Sequence, residues 1–154
     1  MQAAVSRGQA AIGVIISLLS LAGVAVSGLA LHHHYGRSPS SFCSFGANFN
    51  CDMVNRSIYS AFLGIPVALI GIIGYLVILV LANLSRNMKR APAMLLAASV
   101  GGLGFALYLT YIEAFVLAVW CVLCLSSLGI MLTITLLALA RLIWSPWPLE
   151  NSSQ

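Results

Sequence analysis

The chain has 154 residues, of which 61% are hydrophobic and only 6% are charged. Soluble domains are about one quarter charged, so this chain cannot cover a water-exposed surface and must lie largely in membrane lipid. The formal net charge of +4 comes from cations that flank apolar segments, which indicates membrane topology and not nucleic-acid binding. The length suits one membrane domain, 1–154.

Four apolar segments are each long enough to cross a bilayer, which takes roughly 20 helical residues. We therefore predict an all-α integral membrane protein built as a bundle of four transmembrane helices. The predicted spans are 10–31, 59–84, 92–113 and 122–143. The first span is longer than the apolar core of a signal peptide, so it is expected to remain as an anchor.

Several polar or helix-limiting residues mark the ends of these spans. Pro66 falls in the first turns of the predicted second span, where proline costs a helix least. Glu113 lies roughly 30 Å beyond Pro92 along a helix, so we expect it at the opposite membrane interface. The histidines His32–His34 are expected to form a polar helix end at that same interface.

The cations predict the orientation of the bundle. Those that share one side of a four-span bundle are Arg7, Arg86, Lys89, Arg90 and Arg141. The positive-inside rule places this side, with both termini, in the cytoplasm. The polar loop 32–58 and the connection that precedes the fourth span then face the extracytoplasmic side. All four cysteines lie on that side, in a compartment where disulfides persist.

The cysteines form two pairs. Cys43 and Cys51 lie in the outer loop, and Cys121 and Cys124 form a CxxC where the fourth span begins. A helix N-terminus favours a thiolate, and a nearby loop pair can exchange disulfides with it. Electrons would pass from the dithiol of a partner protein to the loop pair, then to the CxxC. The final acceptor should be apolar and membrane-soluble, as a quinone is.

Other interpretations of the cysteines remain open. Two structural disulfides would make the chain a non-enzymatic four-span scaffold or a small transporter. A CxxC closes a small, strained ring, however, and strained disulfides are the labile, catalytic ones. The separation of Cys43 and Cys51 is wider than zinc-ligand spacing, so we predict no metal site.

The run Asn48–Ser60, followed by Gly64–Pro66, resembles the vitamin K epoxide reductase family, specifically its bacterial homologues. The resemblance extends to Cys43, to the four-span layout and to the CxxC, and so covers nearly all of the chain after its N-terminus. It implies a four-helix bundle in the bacterial inner membrane that surrounds a quinone and is capped by the outer loop. The quinone would be of the ubiquinone, menaquinone or vitamin K type.

The resemblance also implies roles for the cysteines. Cys124 resembles the thiol that faces the quinone and reacts with it. Cys121 resembles its partner, which exchanges with Cys51. Cys43 would then meet the partner protein, which in this family resembles a thioredoxin-like extracytoplasmic thiol oxidant.

Three further residues bear on the quinone site. Ser57 and Ser60 resemble polar groups beside the quinone pocket of the family. Animal members have a tyrosine four residues after the CxxC, where this chain has Leu128. This departure favours dithiol oxidation coupled to quinone reduction. The alternative within the same class is a vitamin K quinone or epoxide reductase.

Overall fold

A computed structural model describes residues 2–36, 44–45, 49–55, 57–62, 64–84 and 90–144. Its elements, in chain order, are α1 (Gln2–Tyr35), β1 (Ser44–Phe45), β2 (Phe49–Asn50), α2 (Cys51–Asn55), a 3₁₀ turn (Ile58–Ser60), β3 (Ala61–Phe62), β4 (Ile65–Pro66), α3 (Val67–Leu84), α4 (Ala91–Ile112), a π-helical turn (Glu113–Leu117) and α5 (Val122–Trp144). The strands form two short antiparallel pairs, β1 with β2 and β3 with β4.

Four helices in the described part of the chain are long and apolar enough to cross a membrane. They cover Arg7–Tyr35, Val67–Leu84, Ala91–Leu117 and Val122–Trp144. The prediction of a helical bundle with four membrane-spanning segments is confirmed to this extent. Helix α1 is longer than its predicted span at both ends, and its 34 residues measure roughly 50 Å. It therefore exceeds the hydrocarbon thickness of about 30 Å.

The predicted start of the second span is wrong. The apolar sequence begins near residue 59, but α3 begins only at Val67. The intervening residues form β3 and β4, with Phe62 paired to Ile65 across a turn. Gly64 has a φ of +82° in this turn, a conformation that favours glycine. Pro66 consequently ends a strand and does not lie in the first helical turn.

The four long helices close into a ring, because α1 and α4 each pack against both α3 and α5. Small residues allow close approach between them. Gly23 of α1 lies against the ring of Tyr75 on α3, to which a Cβ atom at position 23 would come within 2.3 Å. The buried core of the ring comprises Ile16, Tyr75, Ile78, Ala82, Leu95, Met131, Ile134 and Ala138.

Arg141 links three helices by hydrogen bonds at the end of the bundle that lies away from the CxxC. Its side chain is only 4% exposed. Nε donates a hydrogen bond to Oε1 of Gln9 at 3.2 Å, and a guanidinium nitrogen donates to the carbonyl of Ala82 at 3.3 Å. The amide of Gln9 in turn donates to the Arg141 carbonyl at 3.3 Å. This one side chain therefore joins α5 to both α1 and α3.

Candidate functional site

A main-chain contact brings the outer loop to the CxxC. The N–H of Asn50 donates to the carbonyl of Trp120 at 3.2 Å, and Phe49 and Trp120 form an isolated parallel bridge. The next residue on each side is a cysteine, Cys51 or Cys121. Both cysteines have 0% exposed surface and belong to one buried cluster. The fold therefore holds one cysteine of each sequence pair in the same water-excluded region.

The cysteines differ in their bonding. Cys51 is disulfide-bonded, whereas Cys121 and Cys124 are free thiols. The disulfide of Cys51 is therefore not made to the CxxC in this state. Cys43 lies outside the described residues, so its pairing with Cys51 stays a prediction.

The CxxC lies at the start of α5, as predicted, with Cys124 in the first turn of the helix. The carbonyl of Cys121 accepts the N–H of Leu125 at 3.0 Å, which makes Cys121 the residue that precedes the helix. A hydrogen bond from the Cys124 thiol lowers the pKa of Cys121 below its ordinary value, although burial and the Glu113 carboxylate oppose this effect. Cys121 therefore forms a thiolate more readily than an ordinary cysteine, and the thiolate is the form that exchanges disulfides.

Glu113 lies directly against the CxxC. Its side chain is 2% exposed, and Oε2 accepts the backbone N–H of Cys121 at 3.2 Å. One carboxylate oxygen and the two sulfur atoms of Cys121 and Cys124 all lie within 4.8 Å of one another. Three such atoms are fewer than the four ligands of a structural zinc ion, and the sequence-based expectation of no metal site stays a prediction.

The backbone after α4 explains this position of Glu113. The π-helical turn Glu113–Leu117 ends at Ala118, which has a φ of 52°, and the N–H of Val119 returns to the Glu113 carbonyl at 3.2 Å. The chain thus reverses and carries the CxxC back over Glu113. Sequence reasoning expected Glu113 at the membrane interface and missed its burial in protein. The available signal was a lone carboxylate eight residues before a CxxC.

A cavity of about 430 Å³ opens between the long helices beside the CxxC. Cys124 lines this cavity, whereas Cys121 is not among its described lining residues. Most of the walls are apolar, and the polar or titratable side chains among the lining residues are Ser27, His34, Ser57, Tyr59, Ser60, Tyr75, Glu113, Cys124 and Ser127. Ligand pockets of roughly 300–1,000 Å³ with a few placed polar groups are typical of small-molecule sites. The cavity suits a flat, apolar ring that carries carbonyl groups.

A family model for the Vitamin K epoxide reductase family matches residues 14–139, which cover most of the chain and all four cysteines. The chain belongs to the vitamin K epoxide reductase family. It is therefore an integral membrane oxidoreductase of a family that links thiols to quinones or reduces the vitamin K epoxide. The apolar cavity beside Cys124 fits the quinone-type substrates of that family.

The two serines predicted from the vitamin K epoxide reductase family both line the cavity. The hydroxyl of Ser57 donates to the carbonyl of Val54 at 2.8 Å, and that of Ser60 donates to the carbonyl of Ser57 at 2.7 Å. Both hydroxyl protons therefore point to the main chain, and each hydroxyl must rotate before it can donate to a quinone carbonyl. The quinone contact of these serines stays a prediction.

Several polar cavity residues were not foreseen as site residues, among them His34, Tyr75 and Ser127. His34, expected only as part of a polar helix end, lines the cavity with Nδ1 3.4 Å from the Ser60 hydroxyl. Tyr75 of α3 and Ser127 of α5 line it as well, with their hydroxyl oxygens 2.8 Å apart. Leu128, where animal members of the vitamin K epoxide reductase family have a tyrosine, is absent from the described lining residues. These positions depend on helix packing, which the sequence pattern does not report.

Proposed function

We propose that this family member oxidises the dithiol of a thioredoxin-like extracytoplasmic protein and passes the electrons to a membrane quinone. One observation carries the proposal. The hydrogen bond from Asn50 to Trp120 holds Cys51 beside Cys121, while Cys124 alone of the CxxC lines the cavity. This arrangement supports a linear order: outer pair, then Cys121, then Cys124, then the acceptor.

The thiol–disulfide steps balance as two successive exchanges. A dithiol on the partner reduces the Cys43–Cys51 disulfide and leaves as a disulfide. The Cys51 thiolate then attacks the Cys121 sulfur of the inner disulfide, which forms a Cys51–Cys121 bond and releases Cys124. Cys43 attacks Cys51, restores the outer disulfide and leaves Cys121 and Cys124 as two thiols. A disulfide-bonded Cys51 beside a reduced CxxC corresponds to this last state.

The reduced CxxC is ready to transfer electrons to a group in the cavity. Formation of the Cys121–Cys124 disulfide releases two electrons and two protons, which a bound quinone of the ubiquinone, menaquinone or vitamin K type accepts. The apolar walls would exclude water, and Ser57 and Ser60 would hydrogen-bond the quinone oxygens after rotation of their hydroxyls. Cys124 is the cysteine nearest to this chemistry, since it is the one that lines the cavity.

The proposed topology places both termini in the cytoplasm and the cysteines on the extracytoplasmic face. Hydrogen bonds between Gln9 and Arg141 keep the N-terminal part of α1 and the C-terminal part of α5 at one end of the bundle. Arg7 lies beside this end, and the exposed Arg90 immediately precedes α4. The positive-inside rule assigns a cation-rich end to the cytoplasm.

The proposal is tested by quinone reduction in the purified protein with a small dithiol as donor. Cys124→Ala should abolish turnover while the protein keeps its thermal unfolding midpoint. Ser126→Ala is a matched control, because Ser126 is an exposed residue of the same helix and is not among the cavity residues. Normal turnover in Cys124→Ala would contradict the relay.

The exchange step has a separate test. In Cys124→Ser with the outer disulfide intact, the Cys121 thiolate should attack Cys51, form a Cys51–Cys121 disulfide and release Cys43 as a thiol, which is then blocked by alkylation. The mixed disulfide persists because Cys124 is missing and cannot displace it. Peptide mapping without reductant detects this cross-link. It must disappear when Cys121→Ser is added, and its absence from Cys124→Ser itself would exclude exchange through Cys121.

Reduction of vitamin K quinone or its epoxide is the alternative activity within the family. Leu128 replaces the tyrosine of animal members and lies outside the described cavity lining, so no observation favours epoxide reduction. A scaffold with two structural disulfides is disfavoured by the free thiols of Cys121 and Cys124.

A further inference from the structure

Glu113 is a buried carboxylate to which the proposed electron relay assigns no role. Its side chain is 2% exposed, Oε2 accepts the Cys121 N–H at 3.2 Å, and the carboxylate also interacts with the Cys124 thiol. Oε1 is fully buried without a hydrogen-bond partner among the described residues. Burial of a half-satisfied carboxylate is unfavourable, and such groups call for a functional explanation.

The geometry places Glu113 where protons must leave the CxxC. A carboxylate oxygen and both sulfur atoms lie within 4.8 Å of one another, and Glu113 and Cys124 line the same cavity. Transfer of a proton between a thiol and a carboxylate needs hydrogen-bond contact, which a small side-chain rotation supplies at this separation. Oε1 is the oxygen without a partner and is available to accept a proton.

We propose that Glu113 is the proton acceptor of the CxxC and takes the thiol proton of Cys124 when the inner disulfide forms. This inference rests on the proposed function. The Cys121 and Cys124 thiols lose two electrons and two protons as the S–S bond forms, and a quinone gains both. The carboxyl of Glu113 takes up one of these protons and passes it to a quinone oxygen, so it ends the cycle unchanged.

The other titratable groups that face this cavity are few. They are Cys124 on α5, His34 on α1, Tyr75 on α3 and Tyr59, which precedes β3. No lysine or arginine is among the described lining residues, so no permanent cation there keeps the Glu113 carboxylate ionised. His34 is the rival proton acceptor, and it contacts the Ser60 hydroxyl at 3.4 Å.

A purely structural role makes a different prediction. If Glu113 served only to fix the Cys121 N–H, Glu113→Gln would be harmless, because the amide oxygen of glutamine accepts the same bond. A proton acceptor is lost in Glu113→Gln but is retained in Glu113→Asp. General acid–base catalysis contributes about 100- to 10,000-fold, so Glu113→Gln should slow quinone reduction at pH 7 by about 100-fold or more. The loss should shrink at high pH, where the thiol ionises without help.

The decisive measurement does not depend on quinone turnover. In a Cys121→Ser background with the outer disulfide intact, the rate at which N-ethylmaleimide modifies Cys124 is measured from pH 6 to about pH 10. Addition of Glu113→Gln should lower this rate near pH 7 by about 10-fold or more, and the two rates should converge at high pH. Glu113→Asp should stay closer to the background protein. His34→Gln should leave the profile unchanged.

Each outcome decides the inference. An equal or faster modification rate in Glu113→Gln overturns it. A Glu113 carboxylate that takes up no proton acts only as a negative charge that disfavours the Cys124 thiolate, so its removal would not slow the modification. A loss that is the same at every pH shows a structural role and overturns it as well. If Glu113→Gln does not fold, the Glu113→Asp profile and the His34→Gln profile decide between the two acceptors. If the parent protein does not reduce quinone, the proposed function fails, while the modification profile still decides the role of Glu113.

Discussion

The contact between Gly23 and Tyr75 gives a sharp test of the helix packing. A methyl group on Gly23 would lie 2.3 Å from Cε1 and 2.4 Å from Cζ of the tyrosine. Carbon atoms that are not bonded to each other need about 3.5 Å. The ring is held on its other side, since its hydroxyl donates to the Ser127 carbonyl at 3.0 Å. Gly23→Ala must therefore move the ring or separate α1 from α3 by about 1 Å.

The expected cost follows from these contacts. Overpacking of a core typically destabilises a protein by about 1–3 kcal/mol, and loss of the Tyr75 hydrogen bond adds about 1 kcal/mol. Alanine recovers up to about 1 kcal/mol through its better helix propensity. With the full helix-propensity gain, we expect a net loss of about 1–3 kcal/mol, which corresponds to a fall in the unfolding midpoint of roughly 2–12 °C for a chain of this size.

Thermal unfolding in detergent, followed by circular dichroism, measures this effect. Gly28→Ala is the matched control, because it lies on the same helix and a Cβ there meets nothing within 4 Å. Tyr75 lines the cavity, so Gly23→Ala should also raise the KM for quinone. Adding Tyr75→Leu should recover much of the lost stability. A midpoint for Gly23→Ala within about 2 °C of the Gly28→Ala midpoint would refute the packing argument.

The remaining predictions address the thiol, the cavity and the far end of the bundle. The Cys124 thiol lowers the pKa of Cys121, so Cys124→Ala should move the pH midpoint of Cys121 alkylation to higher pH, and Cys124→Ser should move it less. An unchanged midpoint in both variants would contradict this effect of Cys124 on the Cys121 pKa. Gly74 lines the cavity and has free space at its Cβ position, so Gly74→Leu should raise the KM for quinone by about tenfold (about 1.4 kcal/mol). Gly104 also has free space at its Cβ position but is outside the described cavity lining, so Gly104→Leu should leave the KM unchanged. Arg141→Met should lower stability by about 2–4 kcal/mol through loss of its charged hydrogen bonds, and an altered KM would argue against its remote position.

The helical bundle and the location of the CxxC were readable from the sequence, because long apolar segments and their flanking charges are local signals. The start of α3 was not, since the apolar pattern runs without interruption across the turn at Gly64. The burial of Glu113 depends on the chain reversal at Ala118, a left-handed alanine that no sequence pattern marks. The outer loop contacts the CxxC region through a main-chain hydrogen bond between Asn50 and Trp120. Such a bond involves no particular side chain, so the sequence does not indicate it.

The main-chain hydrogen bond between Asn50 and Trp120 places little restriction on the amino-acid sequence of the outer loop. Every residue except proline supplies a backbone N–H, so most substitutions at Asn50 leave the contact with Trp120 in place. The side chain of Asn50 has a separate task, since its Oδ1 accepts the N–H of Met53 at 3.1 Å at the start of α2, and aspartate or serine can replace it there. Side chains on the loop surface can therefore change to suit different partner proteins, while the backbone hydrogen bond keeps Cys51 beside Cys121.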